Sequence, residues 1–276
     1  MFNFLIMELQ LKNKHILVTG GTGGIGCSII HQLTQEGAKI SLHYHKNKEK
    51  AQDLQNKYIN DKIVLLKGDL RKEEEVKAIF SKANNSFGRI DGLVANAGIW
   101  SSQPQYTSEL DLNQWKNTVD VNLTGVFLCV KEFFKNLAKF PNNNASLVLI
   151  GSTAGLFGEA GHADYSATKA ALQYGLTNTW KNEITKYAPL GRVNTVAPGW
   201  VLTEMAEDSL KNKDDFRKIL QTIPLKKIAQ PEDIARTIVF LLSDNAAGHI
   251  SGNTIYVHGG MEGRVLYNKE DLMEKI

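Results

Sequence analysis

The chain alternates short apolar segments with longer segments of helical periodicity along almost its whole length. The apolar segments are rich in leucine and β-branched residues, as is typical of strands buried on both faces: 15–19, 39–43, 62–66, 91–95, 146–150, 192–197 and 253–257. Between them the pattern predicts helices at about 24–36, 48–58, 72–86, 112–139, 163–187 and 231–243. The alternation predicts an α/β fold with a doubly wound, seven-stranded parallel sheet and helices on both faces.

Length and composition favour one domain over two. Of the 276 residues, 42% are hydrophobic and 22% are charged, which is enough for one large core. No Pro/Ser-rich linker, repeat or low-complexity tract interrupts the chain, so we predict a single domain over residues 1–276. Three segments depart from the alternation: a short extension at 1–7, an irregular helical segment at about 200–225 that would cover a substrate, and a charged tail at 261–276.

Charge and cysteine content argue against several other classes of protein. A net charge of +3 gives no reason to expect nucleic acid as a partner. Cys27 and Cys129 lie far apart in no metal-ligand spacing, so we predict no metal site and a reducing compartment. The apolar start of the chain has no basic residue before it and is too short for a signal peptide or a membrane span, whether translation begins at Met1 or Met7. We therefore expect a cytoplasmic protein that does not enter membranes.

A glycine-rich turn joins the first predicted strand to the first predicted helix. Gly20, Gly24 and Gly26 follow Thr19 in the stretch LVTGGTGGIG. Glycines at these positions allow a tight turn and let the backbone approach a pyrophosphate at the start of the helix, where free N–H groups point outward. An ordinary turn would also use glycine, but the strand before it and the helix after it favour a dinucleotide site. The turn lacks the Gly-Lys-Ser/Thr ending of a nucleotide-triphosphate loop.

The end of the second strand indicates which dinucleotide is preferred. An acidic residue there would bind the ribose hydroxyls of NAD and repel the 2′-phosphate of NADP. This chain has Tyr44, His45 and Lys46 instead, and its first carboxylate is Glu49. The sequence therefore favours NADP(H) over NAD(H), although the basic residues could also be an ordinary solvated helix start.

Tyr165 and Lys169 stand four residues apart in a predicted helix, so their side chains share one face. A carbonyl that receives a hydride needs a proton donor at its oxygen, and a nearby ammonium lowers the pKa of a phenol from about 10. This predicts Tyr165 as a general acid and base. Ser152 ends a buried strand, where its hydroxyl could bind the same oxygen. Taken alone, the residues could be a half-buried tyrosine, a solvated lysine and a turn-capping serine.

Together these motifs resemble the short-chain dehydrogenase/reductase family over nearly the whole chain. They occur in the family's order: Thr19-Gly20-x-x-x-Gly24-x-Gly26, Asp69-Leu70, Asn96-Ala97-Gly98, Asn122, Ser152, Tyr165-x-x-x-Lys169, and Pro198-Gly199 with Thr203. One departure is Ala95, where the family often has asparagine.

The resemblance implies a Rossmann fold and a catalytic tetrad of Asn122, Ser152, Tyr165 and Lys169. In that tetrad Lys169 also holds the nicotinamide ribose, and Asn122 anchors a water in a proton relay. It also implies a set of cofactor-binding residues: Thr19, Gly20, Thr22, Gly24, Ile25, Gly26, Tyr44, His45, Lys46, Asp69, Leu70, Asn96, Ala97, Gly98, Tyr165, Lys169, Pro198, Gly199, Val201 and Thr203. Asn122 could instead bond a helix backbone, and Asp69 could cap the next helix.

Substrate and partners follow from the resemblance only in outline. The segments 99–106, 154–162 and 200–218 should form the pocket for an apolar or mixed substrate, with these candidate lining residues: Ile99, Trp100, Leu156, Phe157, Trp200 and Met205. The stretches RVNTVAPGWVLTEM and SGNTIYVHGGM most resemble 3-oxoacyl-[acyl-carrier-protein] reductases of fatty acid biosynthesis. Lys135 and Lys186 would then face an acidic carrier protein, and the long helices would pack in a homotetramer. An NAD-dependent alcohol, sugar or steroid dehydrogenase and a non-catalytic dinucleotide sensor remain alternatives.

Overall fold

The computed structural model describes residues 8–58 and 62–263. The extension at 1–7 and most of the tail at 261–276 lie outside the described residues.

Seven strands form one parallel sheet, as predicted. They are β1 (His15–Val18), β2 (Lys39–Tyr44), β3 (Ile63–Lys67), β4 (Gly92–Ala95), β5 (Ser146–Ile150), β6 (Arg192–Pro198) and β7 (Thr254–Val257). Their order is β3-β2-β1-β4-β5-β6-β7, and every neighbouring pair is parallel. The order reverses between β1 and β4, which opens a crevice at the carboxyl ends of these strands.

The described helices are α1 (Gly24–Gln35), α2 (Lys48–Lys57), α3 (Glu73–Phe87), α4 (Leu112–Val119), α5 (Gly125–Lys139), α6 (Thr153–Phe157), α7 (Ala163–Ala170), α8 (Thr177–Glu183), α9 (Glu207–Lys211), α10 (Lys213–Gln221), α11 (Pro231–Leu242) and α12 (Asp244–Ala247). The segment at 200–225 holds α9 and α10 after a 3-10 turn at Glu204–Ala206. No helix in the described ranges is long and apolar enough to cross a membrane.

Two helices predicted as continuous are interrupted by π-helical turns. The helix predicted at 112–139 consists of α4, a π-helical turn at Asp120–Thr124 and α5. The helix predicted at 163–187 consists of α7, a π-helical turn at Ala171–Leu176, α8 and a 3-10 turn at Ile184–Lys186. The short helix α6 was not predicted, because its five residues are too few to show helical periodicity.

Alternate residues of the central strands pack into two separate cores. Leu17, Leu93 and Leu147 contact the helices α3, α5 and α8 on one face of the sheet. Their neighbours Val94 and Val148 contact α1 and α11 on the other face. Side chains alternate along a strand, so a sheet covered on both faces needs apolar residues at every position. This is why the strands read as continuous apolar segments in the sequence.

Candidate active site

The glycine-rich turn holds the end of β1 close to the end of β4. Gly20 has a φ of +63°, and a Cβ at this position would lie 2.9 Å from the Cα of Ala97. A Cβ at Gly26 would collide with the carbonyl oxygen of Gly20, so α1 can begin directly above the turn. Both positions therefore require glycine. Between them, Thr22 is half-buried, and Ile25 packs against the core on the α1 face.

Thr19 and Asn96 connect the two strands at the reversal point. The Thr19 hydroxyl accepts hydrogen bonds from the backbone N–H groups of Asn96 and Ala97, both at 3.0 Å. The Asn96 side-chain amide donates to the carbonyl oxygens of Thr19 (2.9 Å) and Gly20 (3.0 Å). These two predicted residues thus hold the turn in shape.

His43, which was not among the predicted site residues, also supports the glycine-rich turn. Its Nε2 donates to the carbonyl oxygen of Gly68 at 3.0 Å, so its Nδ1 is free to accept the N–H of Gly20 at 3.2 Å. Burial lowers the pKa of His43 to about 4, which keeps the ring neutral. In the sequence, this role is indicated only by a histidine within an apolar segment that was predicted as a strand.

Basic residues surround the end of β2. His45, Lys46, Lys67 and Lys72 line a cavity of about 350 Å³ together with Asp69 and Glu75. Lys67 and Lys72 were not predicted, because they come from β3 and the start of α3. The side chain of Tyr44 instead lies in the core, with 6% of its surface exposed.

Asp69 and Leu70 follow β3, and Asp69 lines the cavity at the end of β2. Arg71 donates to both carboxylate oxygens of Asp69, from Nε at 2.9 Å and from a terminal nitrogen at 2.7 Å. These bonds hold the pKa of Asp69 at about 2. Leu70 packs in the core on the α3 face, so any contact it makes with a ligand must come from its backbone.

Ser152, Tyr165 and Lys169 meet at the carboxyl end of β5. The Ser152 hydroxyl is a hydrogen-bonding neighbour of the Tyr165 phenol, and it accepts the N–H of Ala154 at 3.1 Å as it caps α6. The Lys169 ammonium lies 5.5 Å from the centre of the Tyr165 ring and donates to the carbonyl oxygen of Ile150 at 2.8 Å. The capping role that the sequence left open for Ser152 therefore coexists with its contact to the phenol.

Burial dominates the acid–base properties of this pair. It raises the pKa of Tyr165 to about 12, against the lowering effect of the Ser152 hydrogen bond, and it lowers the pKa of Lys169 to about 8. The predicted lowering of the phenol pKa by the ammonium is wrong, because burial raises that pKa and the ammonium faces the ring and the Ile150 carbonyl. The phenol is therefore protonated near neutral pH and can act as an acid.

Asn122 is fully buried in the π-helical turn that follows α4. Its side chain accepts the N–H of Ile99 and donates to the carbonyl oxygen of Ile99, both at 2.8 Å. A Cβ at Gly98 would lie 3.3 Å from Asn122 Oδ1 and 3.6 Å from Lys169 Nζ. Asn122 thus fixes the loop after β4 beside Lys169, and its role in a proton relay stays a prediction.

Gln173, which also was not among the predicted site residues, positions the loop that carries Ser152. It lies in the second π-helical turn, is 2% exposed, and accepts the backbone N–H of Ser152 at 2.9 Å. A Cβ at Gly155 would collide with the Gln173 side-chain oxygen, so the loop packs directly on this side chain. A glutamine among helical alanine and leucine residues was a weak signal, because most such residues are exposed.

The segment after β6 closes the crevice from the other side. Pro198 pairs with Val257 at the sheet edge, and a Cβ at Gly199 would lie 2.8 Å from the Cβ of His258. The Thr203 hydroxyl donates to the carbonyl oxygen of Val201 at 3.4 Å. A Cβ at Gly24 would lie 2.7 Å from the Thr203 methyl group, so this segment touches the start of α1. The predicted nicotinamide and pyrophosphate residues are therefore adjacent.

Comparisons with known proteins agree with this architecture. A family model described as "Enoyl-(Acyl carrier protein) reductase" matches residues 20–262. The 3-oxoacyl-[acyl-carrier-protein] reductase FabG of Staphylococcus epidermidis is 35% identical over 254 residues, covering 90% of this chain and 99% of the relative. A 3-oxoacyl-[acyl-carrier-protein] reductase of Synechocystis sp. is 36% identical over 247 residues, covering 89% and 95%.

Solved structures extend the likeness to the fold. A short-chain dehydrogenase/reductase from Brucella melitensis, described as a glucose/ribitol dehydrogenase, has a TM-score of 0.84 and 31% identity, covering 93% of this chain and 99% of that one. The chain belongs to the short-chain dehydrogenase/reductase family. As a family member it is an oxidoreductase that acts between CH–OH and C=O groups with a nicotinamide cofactor.

The residues present fit such a cofactor. The helix α1 begins after Gly23 with no side-chain cap and no acidic residue in its first turn. Its first N–H groups therefore face the crevice with the positive end of the helix dipole, as a pyrophosphate requires. The glycines at positions 20, 24 and 26 provide the space that side chains would fill.

The candidate lining residues of the substrate pocket are aromatic and apolar. Trp100 meets Trp200 edge to face, with ring centres 6.0 Å apart. Leu156, Phe157 and Met205 are 36%, 42% and 46% exposed, so the predicted candidates form a partly open apolar rim.

Proposed function

We propose that this protein is an NADPH-dependent reductase of 3-oxoacyl thioesters, including those bound to acyl carrier protein. The arrangement of Ser152, Tyr165 and Lys169 carries the proposal, because it presents a protonated phenol and a hydroxyl to one substrate oxygen. The Staphylococcus and Synechocystis relatives, which are 3-oxoacyl-[acyl-carrier-protein] reductases, support the thioester class.

The chain's own residues account for the proton in this reaction. Bound NADPH supplies a hydride to the carbonyl carbon. The Ser152 hydroxyl accepts the N–H of Ala154, so its hydrogen is available to the carbonyl oxygen. Tyr165 donates its phenolic proton to the same oxygen, and Lys169 provides positive charge beside the phenolate that remains. Asn122 holds the loop beside Lys169.

The choice of NADPH rests on the charges at the end of β2. His45, Lys46, Lys67 and Lys72 line the cavity there. Of its two carboxylates, Asp69 is paired with Arg71 at 2.7 Å and Glu75 with Lys72 at 2.9 Å. A 2′-phosphate would therefore meet a predominantly basic surface.

The partner proposals have weaker support. Lys135 is paired with Glu132 at 2.7 Å, and the Lys186 ammonium lies 5.7 Å from the centre of the Tyr187 ring. An acidic carrier protein would have to compete for Lys135. We keep a cytoplasmic homotetramer, packed through α4–α5 and α7–α8, as part of the proposal. A sugar alcohol dehydrogenase is the second candidate, because the Brucella structure is described as a glucose/ribitol dehydrogenase.

The test is NADPH oxidation by the purified protein with acetoacetyl thioesters, an enoyl thioester, diketones and sugars. We expect turnover with the 3-oxo thioester and a loss of at least about 100-fold in kcat for Tyr165→Phe, the usual contribution of a general acid. Tyr58→Phe removes a hydroxyl that bonds His31 away from the site and should retain full activity. Near-normal turnover by Tyr165→Phe, or turnover of sugars alone, would contradict the proposal.

A further inference from the structure

A carboxylate, an imidazole and an indole form a cluster on the substrate side of the site. The Glu159 carboxylate lies 3.7 Å from His162 Nδ1, and the neighbouring Trp100 indole lowers the pKa of that carboxyl. Trp100 stacks on the His162 ring, with centres 5.0 Å apart and planes 19° apart. Trp100 and His162, the two neighbours of Glu159, therefore pack against each other.

The loop that carries Glu159 is held rigidly. Gly158 and Gly161, on either side of it, have φ values of +75° and +83°, which a residue with a side chain rarely adopts. The carbonyl oxygen of Gly161 accepts the N–H of Gln105 at 2.8 Å, and His162 Nε2 donates to the carbonyl oxygen of Ser101 at 3.0 Å. These bonds tie the end of the loop to the segment at 101–105.

The Glu159 carboxylate has acceptor capacity that its neighbours do not use. An ionised carboxylate offers about four lone-pair positions, and His162 Nδ1, at 3.7 Å, lies beyond hydrogen-bonding distance of Glu159 Oε1. The side chain is 27% exposed, so a ligand can reach it. Burial nevertheless raises the pKa of Glu159, which shows that water stabilises its charge poorly and that a further hydrogen-bond donor would be favourable.

Glu159 also lies close to the reacting phenol. Its residue number falls between Ser152 at the start of α6 and Tyr165 in α7, and its charge raises the pKa of Tyr165. Trp200, which follows the Pro198–Gly199 turn, packs edge to face on Trp100 and so joins the cluster to the crevice. The loop of Glu159 therefore joins the elements that carry Ser152 and Tyr165, and it contacts the segment at 101–105.

We infer that Glu159 is a specificity-determining residue that accepts a hydrogen bond from an N–H or O–H group of the substrate a few bonds from the reacting carbonyl. This rests on the proposed function. The donor has two possible sources, the amide N–H of a pantetheine-type thioester or the hydroxyl of a hydroxyketone. The reductase would then select carbonyl compounds by this donor in addition to their apolar part.

Two matched substrate pairs test the inference with wild-type enzyme and NADPH. S-acetoacetyl-N-acetylcysteamine has an amide N–H that S-butyl acetothioacetate lacks, and 4-hydroxybutan-2-one has a hydroxyl that 4-methoxybutan-2-one lacks. We expect kcat/KM to favour the donor-bearing member of one pair by about 10- to 100-fold, the range for a hydrogen bond to a charged acceptor. The pair that shows the preference identifies the source of the donor.

Variants then assign the preference to Glu159. Glu159→Leu should abolish the difference in kcat/KM within the sensitive pair, and it should leave kcat/KM for the substrate without the donor within about threefold of the wild-type value. Glu159→Gln keeps a neutral acceptor, so it should retain part of the difference in kcat/KM. Glu109→Leu, at an exposed position of the nearby segment, is the control and should keep the full ratio. Melting curves check that each variant is folded.

The outcomes separate the two proposals. If the wild-type enzyme reduces the thioesters but Glu159→Leu keeps the full ratio, or neither pair shows a preference, the inference about Glu159 is wrong while the reductase stands. If no carbonyl compound is reduced by the wild-type enzyme, the proposed function itself is wrong.

Discussion

At the scale of single residues, the site depends on which of two opposing effects controls each ionisable group. For Tyr165 and Lys169 burial is the stronger effect. It raises the pKa of the phenol, which stays protonated, and it lowers the pKa of the ammonium. For Asp69 the ion pair with Arg71 is the stronger effect, and the carboxylate stays ionised. The sequence identified these residues but not the balance, because burial depends on neighbours distant in the chain.

The cofactor preference can be tested at one residue. Reversing the charge in Lys46→Glu places a carboxylate in the basic cavity at the end of β2, where it would repel a 2′-phosphate. We expect the KM for NADPH to rise about tenfold or more and the KM for NADH to change little. Steady-state kinetics with both cofactors measure this. Lys57→Glu, at the other end of α2, is the matched control, and an unchanged KM for NADPH would remove Lys46 from the site.

At the scale of secondary-structure elements, the bounds of the strands and of the two long helices were predicted closely, but the π-helical turns within those helices were not. Strands buried on both faces have a strong apolar signature, so their positions agree with the structure within about a residue. The π-helical turns at Asp120–Thr124 and Ala171–Leu176 leave no such signature. Each adds a residue to a helix so that Asn122 and Gln173 can bond loops of the site, and this requirement exists only after the elements have packed.

The second π-helical turn gives a prediction about positioning. Gln173→Leu keeps the volume but removes the acceptor for the Ser152 N–H, so that a largely buried donor is left unpaired. We expect the free energy of unfolding to fall by about 1–3 kcal/mol. We also expect kcat to fall about tenfold with an unchanged KM for NADPH, because a small misplacement of Ser152 affects the reacting oxygen and not the cofactor. Urea unfolding and steady-state kinetics measure the two effects.

Two variants provide the comparison for Gln173. Gln173→Glu keeps an acceptor oxygen and should recover most of kcat. Gln52→Leu, on the exposed face of α2, should change neither quantity. A Gln173→Leu enzyme with wild-type kcat would show that the side chain only fills space.

At the scale of the whole molecule, the sequence was sufficient for the sheet and for which residues lie at its carboxyl edge. Thr19, Asn96, Ser152 and Tyr165 follow or face strand ends, so the parallel topology alone brings them together. It was not sufficient for His43, Lys67, Lys72, Gln173 and Glu159. Each of these acts through a side-chain direction or a cross-loop contact, and such contacts have no fixed spacing in the sequence.

The stability of the folded chain should depend on pH through its buried histidines. Burial lowers the pKa of His43 from 6.5 to about 4. It also lowers the pKa of His15, which lies at the start of β1, at the amino ends of the strands. Between pH 6.5 and about 4 the unfolded chain therefore binds a proton at His43 that the folded chain does not bind. The free energy of unfolding should fall as pH decreases through this window, by up to about 1.4 kcal/mol per pH unit for His43.

His43→Asn isolates this contribution, because an asparagine oxygen can still accept the Gly20 N–H but the residue does not titrate. We expect the variant to be less stable than the wild type at pH 7, where it loses the bond to the Gly68 carbonyl, and to lose less of its stability between pH 7 and pH 5. Urea unfolding at the two pH values measures both slopes. Since His15 remains, the variant should keep part of the dependence. Equal losses in the two proteins would show that His43 does not resist protonation in the folded state.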